Sequence, residues 1–390
     1  MEPGHMSISS TMAPDVSNPG ATGNGAGSWS ARWFGCSNLT LFLYAAFCLT
    51  LTIAGYLRPL PTFDRYLYAG AIASFRYSDP QTVHRIARAE FDTQPSPYQF
   101  ENVAAEPYFA DVRDNTAHFM EQLSFYRVKL AYITLGYAIW RAGLPILTGL
   151  RLISAVCTFI LALLILAWSH DPFLSLLLLL VPPVLNLDRS VTPDALSAAI
   201  ILLAFFSLAK RRHWLAICLF GGSVLVRFDA IVVLWIILAW LALKGRIRPL
   251  QGLSVGAFAL ACVTLVNHLC GYYGWRVLMQ HSFIKPEIEP LTHPVLINPR
   301  GYLLAIASLR VIPYTFMTIW LLVAVAVWKR LPPQSEFRDF LPLAGLCILA
   351  RLAIYPNFED RYFAWAYLLA GVALIQMAQS RFANREPARQ

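Results

Sequence analysis

The sequence predicts an all-helical protein that crosses a membrane many times. Of its 390 residues, 57% are hydrophobic and 14% are charged, whereas soluble domains average about 25% charged and 45–50% apolar residues. These polar side chains are too few to cover a water-facing surface of this size. Apolar runs also recur along most of the chain, so we predict a transmembrane bundle of about ten spans.

The basic residues are placed as in the cytoplasmic loops of membrane proteins. The formal net charge is +9, but Lys and Arg stand in short clusters at the ends of apolar runs, at 210–212, 244–248 and 328–330. Such clusters mark cytoplasmic loops. The chain has no basic stripe interleaved with aromatic residues, and we therefore expect no nucleic-acid partner.

The polar segments divide the chain into two tails and one membrane domain. Residues 1–31 are rich in Ser, Gly, Pro and Asn, which predicts a disordered cytoplasmic tail; residues 381–390 predict a second cytoplasmic tail. The membrane domain covers 32–380. Its first span, 39–57, precedes a long first outer loop, 58–145, which prolines break into short amphipathic helices.

Nine further apolar runs predict the remaining spans. They lie near 146–168, 172–187, 193–209, 213–227, 229–243, 250–270, 301–328, 339–356 and 361–379. Segment 123–144 is different, because basic residues flank its Tyr and Trp residues and Pro145 ends it. We predict that this segment is a helix in the plane of the membrane.

Excluding 123–144 from the spans decides the predicted orientation. With a cytoplasmic N-terminus and ten spans, every basic cluster and both tails lie inside the cell, as the positive-inside rule requires. Counting 123–144 as a span would move all later clusters outside. The predicted orientation also places the long first loop on the outer face.

Carboxylates collect at that outer face. Asp64 follows the first span, Asp188 and Asp194 flank the start of the span at 193–209, and Asp360 lies at the last outer turn. Acidic residues at membrane depth cost roughly 2.5–3.5 kcal/mol each and are functional by default. The pattern therefore indicates a site at this face.

Two of these carboxylates also have structural explanations. Asp64 would serve as a helix N-cap if a helix began near Tyr66, although its position beside the membrane favours a functional role. Asp194 is equally explained as a first-turn acid that the helix dipole favours, with Thr192 as the cap. The sequence leaves these alternatives open.

Several arginines lie within or beside the spans. Arg310 and Arg351 are far enough inside that a guanidinium there needs an anion, either a carboxylate or a phosphate. Snorkelling alone explains Arg151. Ion pairs that fix helix ends explain Arg227 and Arg361 at least as well as a binding site does.

Outer carboxylates above buried arginines suit sugar transfer from a lipid phosphate. The arginines would neutralise the phosphate as it leaves, and a carboxylate would take a proton from the acceptor hydroxyl. The sequence contains no GxGxxG and no P-loop motif, so we expect no nucleotide sugar held by such a fold. Its histidines lack metal-ligand spacing. We predict no certain cofactor, although carboxylates could hold a divalent cation.

Three stretches and the order of the elements resemble the GT-C superfamily of integral membrane glycosyltransferases. The stretches are Phe63-Asp64-Arg65-Tyr66, Gln122-Leu123-Ser124-Phe125-Tyr126-Arg127-Val128-Lys129 and Thr192-Pro193-Asp194-Ala195-Leu196. The resemblance implies that Asp64 is the general base, that Asp194 supports the site, and that the donor is a polyprenyl-phosphate sugar at the outer face of a bacterial inner membrane. The usual acidic pair after the first span is replaced by Asp64-Arg65.

The predicted site contains two catalytic residues, Asp64 and Asp194, and no metal ligands. The predicted substrate-binding residues are Arg65, Tyr66, Tyr126, Arg127, Lys129, Arg227, His268, Arg310, Arg351, Asp360 and Arg361. The expected partners are a lipid-linked sugar donor, membrane lipids and a glycan, lipid or protein acceptor. Two alternatives are a transporter or flippase of an anionic or lipid-linked solute, and a non-catalytic subunit of a polysaccharide assembly complex.

Overall fold

Every regular element that the structure describes is helical, which confirms the all-helical part of the predicted fold class. The computed structural model describes residues 36–60, 62–93, 107–284, 300, 303, 315–357 and 359–383. The helices are α1 Asn38–Leu57, α2 Asp64–Ala73, α3 Pro80–Asp92, α4 Pro107–Asp114, α5 Thr116–Gln122, α6 Ser124–Arg127, α7 Leu130–Arg141, α8 Ile146–Ser169, α9 Pro172–Leu179, α10 Pro182–Arg189, α11 Asp194–Ala209, α12 His213–Val226, α13 Ala230–Leu243, α14 Pro249–Leu269, α15 Trp275–Met279, α16 Thr315–Arg330, α17 Phe337–Ile354 and α18 Ala364–Ala383. A π-helical turn, Gln280–Ile284, continues α15, and a 3-10 turn, Asp360–Phe363, precedes α18.

Four helical segments within the described residues are long and apolar enough to cross a membrane. They are α1, α8, α14 and the segment Asp360–Arg381, which joins the 3-10 turn to α18. The pair α9 and α10 makes a fifth if the two helices count as one span. Helix α1 leaves large side chains such as Phe42 and Leu57 about two-thirds exposed. This exposure fits a helix that faces lipid, so the helices are compatible with a membrane-embedded protein.

The apolar run at 172–187, which we predicted as one span, is two helices bent by 70°. Val181, between them, has an extended backbone, and Pro182 opens α10. Proline has no N–H to donate and restricts the residue before it, so a straight helix cannot pass through this point. The structure therefore has a broken span or a re-entrant loop here.

Helix α8 lies at the centre of the bundle. It packs against α1, α7, α9, α10, α11 and α18. Two polar side chains at these contacts are satisfied internally: the Tyr44 hydroxyl donates to the Ala162 carbonyl at 2.8 Å, and the Ser154 hydroxyl donates to the Ser190 carbonyl at 2.7 Å. Such bonds are needed because hydrocarbon offers polar groups no partner.

Helices α2 to α7 form a lobe with its own aromatic core. Tyr66 and Phe119 are fully buried, with ring centroids 4.8 Å apart. A Cβ atom on Gly70 would lie 2.3 Å from the Phe119 ring, so glycine permits this close approach. The segment 123–144, which we predicted as one in-plane helix, is helical but divided, because α6 and α7 are separated at Val128 and Lys129.

Glu90 of the lobe caps the central helix. Its two carboxylate oxygens accept the backbone N–H groups of Ile146 at 3.0 Å and Leu147 at 3.1 Å. The N-cap residue of α8 is Pro145, which has no side-chain acceptor of its own. Since the first N–H groups of a helix have no intrahelical partner, Glu90 ties the lobe to the bundle at this point.

Helices α11, α12 and α13 run antiparallel and present acids and bases at opposite ends. Helix α11 begins at Asp194 and ends before Lys210, and α12 ends before Arg227. Helix α13 follows Asp229 and ends before Lys244. The acidic residues thus share one end of the bundle, and the basic clusters lie at the other end.

Some predictions fall outside the described residues. These are the tail at 1–31, residues 61 and 94–106 of the first outer loop, residues 301, 302 and 304–314 of the span predicted at 301–328, and residues 384–390 of the second tail. Arg310 lies in the segment 304–314, so nothing in the structure bears on its predicted role.

Candidate functional site

Asp64 begins helix α2 and faces two partners from distant parts of the chain. Its Oδ1 accepts the Tyr126 hydroxyl at 2.8 Å, and its Oδ2 lies 3.4 Å from Nη2 of Arg361. The N-cap position of α2 belongs to Phe63, and Asp64 is the first helical residue. Its side chain is 30% exposed. Asp64 is thus not the N-cap, and its carboxylate is still accessible.

Asp194 begins helix α11 and is almost fully buried. Its Oδ2 accepts the Thr192 hydroxyl at 2.7 Å and lies 3.5 Å from Nε of Arg361. Its Oδ1 accepts Nη1 of Arg227. The Thr192 hydroxyl therefore donates to Asp194 and makes no capping bond to the helix backbone. Two guanidinium groups meet on this one carboxylate.

Asp229 lies in the connection between α12 and α13 and binds two guanidinium groups, those of Arg227 and Arg351. Arg227 makes a bidentate pair with it, with Nε 3.1 Å from Oδ1 and Nη2 3.0 Å from Oδ2. Arg351, near the end of α17, donates Nε to the same Oδ2 at 2.5 Å. Charge-assisted bidentate bonds are among the strongest and most directional in proteins, so these loops are held together firmly.

These contacts form a single alternating series, which we call the ion-pair chain. In order, it runs through Asp64, Arg361, Asp194, Arg227, Asp229 and Arg351. Its members come from α2, α11, α17, the α12–α13 connection and the turn before α18. Segments almost 300 residues apart in sequence therefore meet at one place.

Tyr362 lies at the centre of the three arginines. The guanidinium carbons of Arg227, Arg351 and Arg361 are 4.1, 4.5 and 5.2 Å from the centroid of its ring. A cation within about 6 Å of an aromatic face is attracted by the ring quadrupole. The Tyr362 ring therefore lies among the three positively charged guanidinium groups and attracts each of them.

Arg351 retains unused hydrogen-bonding capacity. Its side chain is 6% exposed, and its Nη1 donates to the Asn357 carbonyl at 3.2 Å. Its Nη2 is buried and has no hydrogen-bond partner among the residues that the structure describes. Because a buried N–H of a charged group is costly to leave unpaired, this atom marks a place where an anion or water would bind.

Lys129, in the turn before α7, lies beside Asp64 in an aromatic pocket. Its Nζ donates to the Tyr68 hydroxyl at 2.6 Å and lies 4.8 and 4.6 Å from the ring centroids of Tyr68 and Tyr126. Burial lowers the pKa of Lys129 to about 8, although the neighbouring Asp64 carboxylate acts in the opposite direction. Burial and the charge of Asp64 raise the pKa of Tyr126, so its hydroxyl remains a proton donor.

A cavity of about 380 Å³ adjoins the ion-pair chain at Arg361. It lies between α10 and the turn before α18. Its polar lining consists of Thr62, Asn186, Ser190, Glu359, Asp360 and Arg361. Asp360 also accepts the Tyr367 hydroxyl at 2.7 Å. The cavity thus opens beside the residue that contacts both Asp64 and Asp194.

Seven of the predicted site residues come together at the ion-pair chain and its edge, and an eighth lines the cavity. The seven are Asp64, Asp194, Tyr126, Lys129, Arg227, Arg351 and Arg361; the eighth is Asp360. The roles predicted for these residues stay predictions.

The other predicted residues make different contacts. Arg65 is 2% exposed and lies over the Phe91 ring at 5.3 Å, and Tyr66 is part of the lobe core. Nε of Arg127 donates to the Ser74 hydroxyl at 3.0 Å. His268 is exposed near the end of α14. The structure thus places these four side chains away from the ion-pair chain.

Several contributing residues were missing from the predicted site. Asp229 was visible as an acid two positions after Arg227, which is the spacing of the bidentate pair. Tyr68 and Tyr362 gave no separate signal, because an aromatic residue in a membrane protein is ordinarily a packing or interfacial residue. Asn186 and Thr62 were not distinguishable from other polar residues of the outer turns.

The described residues contain no cluster of three or more His, Cys, Asp or Glu side chains suited to a metal ion. The three carboxylates of the ion-pair chain all face arginines, so a divalent cation would have to displace a guanidinium. A cation at this site stays a prediction.

No protein family, curated protein sequence or solved structure matches this chain significantly. The arrangement of its own residues is therefore the basis for assigning a function.

Proposed function

We propose that the protein is a membrane glycosyltransferase of the GT-C type. It transfers a sugar from a polyprenyl-phosphate donor to an acceptor hydroxyl at the outer face of a bacterial inner membrane. The observation that carries the proposal is the ion-pair chain, in which Asp64 and two further carboxylates meet three arginines beside a cavity.

Asp64 acts as the general base in this reaction. Its side chain is 30% exposed, compared with 1% for Asp194 and 22% for Asp229. Its contact with Arg361, at 3.4 Å, is also longer than the contacts that hold Asp229. A base must reach the proton that it removes, and Asp64 is the most accessible of the three carboxylates.

Asp194 and Asp229 position the arginines. Each accepts bonds from two guanidinium groups, so each fixes two cations at defined places. Such preorganised charges stabilise a developing anion without having to reorient during the reaction. Asp194 is therefore a supporting residue whose carboxylate is not free to accept a proton.

Arg351 and Arg227 bind the donor phosphate. The acceptor oxygen forms a bond to the anomeric carbon, and the bond from that carbon to the phosphate oxygen breaks. The phosphate leaves with the bonding electron pair, while Asp64 takes the proton of the acceptor hydroxyl. The buried Nη2 of Arg351 supports this role, because it offers a donor that lacks a partner in the described residues.

The proposal includes ten spans, with 123–144 in the plane of the membrane and both termini in the cytoplasm. Helices α11, α12 and α13 have 16, 14 and 14 residues, so each is roughly 21–24 Å long at 1.5 Å per residue. The hydrocarbon core is roughly 30 Å thick. Helices this short would hold Asp194, Arg227 and Asp229 slightly below the membrane surface, where a lipid phosphate lies.

A carrier or flippase for a lipid-linked solute is the second candidate. The observation that favours it is the bend of 70° between α9 and α10, next to the cavity. Broken helices at a substrate site are common in transporters.

One assay separates the two candidates. Purified protein in detergent is incubated with radiolabelled polyprenyl-phosphate mannose, glucose and arabinose in separate reactions. We expect label from at least one donor to move from the lipid to an acceptor or to water. A detergent solution has no compartments, so a carrier would release no label, and the absence of transfer and hydrolysis with every donor would contradict the proposal.

A further inference from the structure

We propose that the cavity beside Arg361 is the acceptor subsite, and that it selects an uncharged saccharide. This inference rests on the proposed function, since it identifies the acceptor of that reaction. It follows from the position of the cavity, its charge and its unused hydrogen-bonding groups.

The position of the cavity suits the acceptor. Thr62 in its lining is two residues before Asp64, and Arg361 in its lining contacts the Asp64 carboxylate. A hydroxyl group in the cavity would therefore lie on the side of the proposed base. Arg351, with its unsatisfied Nη2, is at the other end of the ion-pair chain and does not line the cavity. The proposed phosphate site and the proposed acceptor site are thus separate.

The charge of the cavity disfavours an anionic ligand. Among the residues that the structure describes, its lining contains two carboxylates, Glu359 and Asp360, and one cation, Arg361. The guanidinium of Arg361 is already engaged by Glu359 at 2.5 Å, and by Asp64 and Asp194 at 3.4 and 3.5 Å. Like charges brought together in an interface cost several kcal/mol. A uronic acid or a phosphate would therefore be repelled here.

The polar groups of the cavity match hydroxyls. The Thr62 hydroxyl is buried without a hydrogen-bond partner among the described residues. The Asn186 side chain likewise has no partner in that part of the chain, and it offers two donors and an acceptor. The Ser190 hydroxyl donates to the backbone carbonyl of Asn186 at 2.6 Å and can still accept a hydrogen bond. Sugar hydroxyls both donate and accept, so they can satisfy this mixed set.

The size and the apolar wall of the cavity fit a sugar ring. Pro182, Pro183 and Phe316 supply apolar surface in the lining, and a pyranose ring has an apolar C–H face. The volume of about 380 Å³ is at the small end of the range of roughly 300–1,000 Å³ for ligand pockets. The cavity therefore suits one or two sugar rings better than a protein segment.

The test measures acceptor binding without the donor. Saturation-transfer difference NMR on purified protein in detergent uses four probes: the methyl glycosides of glucose, galactose and mannose, and the methyl glycoside of glucuronic acid. We expect at least one uncharged glycoside to bind at least about tenfold more tightly than the glucuronide, which corresponds to ~1.4 kcal/mol.

A charge change inside the cavity should alter this preference. Asn186→Lys raises the net charge of the lining by one, and we expect it to reduce the discrimination against the glucuronide to less than about threefold. Ser78→Lys makes the same charge change at an exposed position of the lobe and should leave the preference as in the wild type.

The outcomes separate this inference from the proposed function. Equal or tighter binding of the glucuronide, no binding of any glycoside, or no effect of Asn186→Lys would each overturn the acceptor assignment. If one of these results accompanied sugar release from a polyprenyl-phosphate donor, the glycosyltransferase proposal would stand alone. Glycoside binding with the expected preference but no release from any donor would instead support a saccharide site and refute the transfer reaction.

Discussion

Asp64 and Lys129 illustrate how burial and charge set the chemistry of single residues at this site. Asp64 is partly exposed and carries one neutral hydrogen bond and one long ion contact. Lys129 is held between two tyrosine rings and donates a short hydrogen bond to the Tyr68 hydroxyl. The Asp64 carboxylate is therefore accessible to a proton. The charged form of Lys129 is destabilised by burial.

Lys129 should make the stability of the protein depend on alkaline pH. Its pKa is lowered from 10.5 to about 8 in the folded protein, so between these pH values the unfolded chain binds more protons than the folded one. Stability from this residue therefore rises as the pH increases from about 8 towards 10.5. Below pH 8 both states are protonated, and the cost of burying the charge is fully present.

The measurement compares thermal unfolding midpoints in detergent at several pH values from 7 to 10. We expect the difference between wild type and Lys129→Met to shift in favour of the wild type as the pH rises. A difference that does not change over this interval would show that burial does not lower the pKa of Lys129.

Sequence reasoning found individual charged residues and offered ion pairs at helix ends for Arg227 and Arg361, but it did not predict which residues from distant segments pair. Asp64, Asp194 and Arg351 were each identified because an ionisable group near or within a span is costly and is therefore a candidate functional residue. That Arg351 would share Asp229 with Arg227 depends on how α17 packs against α13, and no local pattern reports such packing. The same holds for Tyr362, whose position among three guanidinium groups is a tertiary property.

At the scale of elements, the junction between the lobe and the bundle depends on one side chain. Glu90 lies near the end of α3 and supplies both acceptors for the start of α8. Glu90 lies 56 positions before Ile146 and 57 before Leu147. The sequence therefore gives no local indication of the cap. Helix α8 is the central helix of the bundle, and its first turn also lies close to the lobe that carries Tyr126 and Lys129.

Glu90→Ala should weaken this junction. Loss of a capping acceptor costs about 0.5–2 kcal/mol, and we expect a lower unfolding midpoint together with faster amide hydrogen exchange in residues 146–150. Glu90→Gln is the matched control, because its amide oxygen retains one acceptor and should preserve part of the cap. Equal exchange in wild type and Glu90→Ala would show that the contact does not stabilise α8.

Apolar runs predicted where helices lie better than how straight they are. The helices at 39–57 and 146–168 have nearly the predicted bounds, because a long apolar run flanked by polar residues has few alternatives. The run at 172–187 gave the same signal, yet it is broken before Pro182. Hydropathy does not report a missing backbone N–H. The pair Pro182-Pro183 was the feature that indicated the break.

The break at Pro182 also positions a polar residue between helices. A Cβ atom on Gly55 of α1 would lie 1.8 Å from Oδ2 of Asp188 in α10. Glycine is therefore required where α1 and α10 meet. The backbone joins the same two segments, because the Leu60 N–H donates to the Arg189 carbonyl at 2.8 Å. These contacts hold the wall of the cavity against the first helix.

At the scale of the whole molecule, the ion-pair chain and the basic clusters occupy opposite ends of the bundle. The ion-pair chain and the cavity are at one end, and Lys210, Arg212 and Lys244 are at the other. In the proposed topology, the positive-inside rule places the basic end in the cytoplasm. The composition and the clusters of Lys and Arg were sufficient to predict this polarity, whereas the cavity required the packed structure.

Cysteine accessibility tests the orientation directly. Ser78→Cys and Arg212→Cys are introduced separately into a variant that lacks the seven native cysteines, and both positions are exposed. A membrane-impermeant maleimide applied to intact cells should label the first and not the second. Labelling of Arg212→Cys from outside, with no labelling of Ser78→Cys, would reverse the proposed topology.

The central claim is that the ion-pair chain performs sugar transfer with Asp64 as the base. Its most direct test is the initial rate of transfer from a radiolabelled polyprenyl-phosphate sugar by wild type, Asp64→Asn and Asp92→Asn in detergent. General-base catalysis contributes about 10²–10⁴-fold, so we expect Asp64→Asn to lose at least about a hundredfold of the rate while its unfolding midpoint stays close to that of the wild type. Asp92, whose side chain is 62% exposed in the lobe, should tolerate the same change without loss. Full activity in Asp64→Asn would contradict the account.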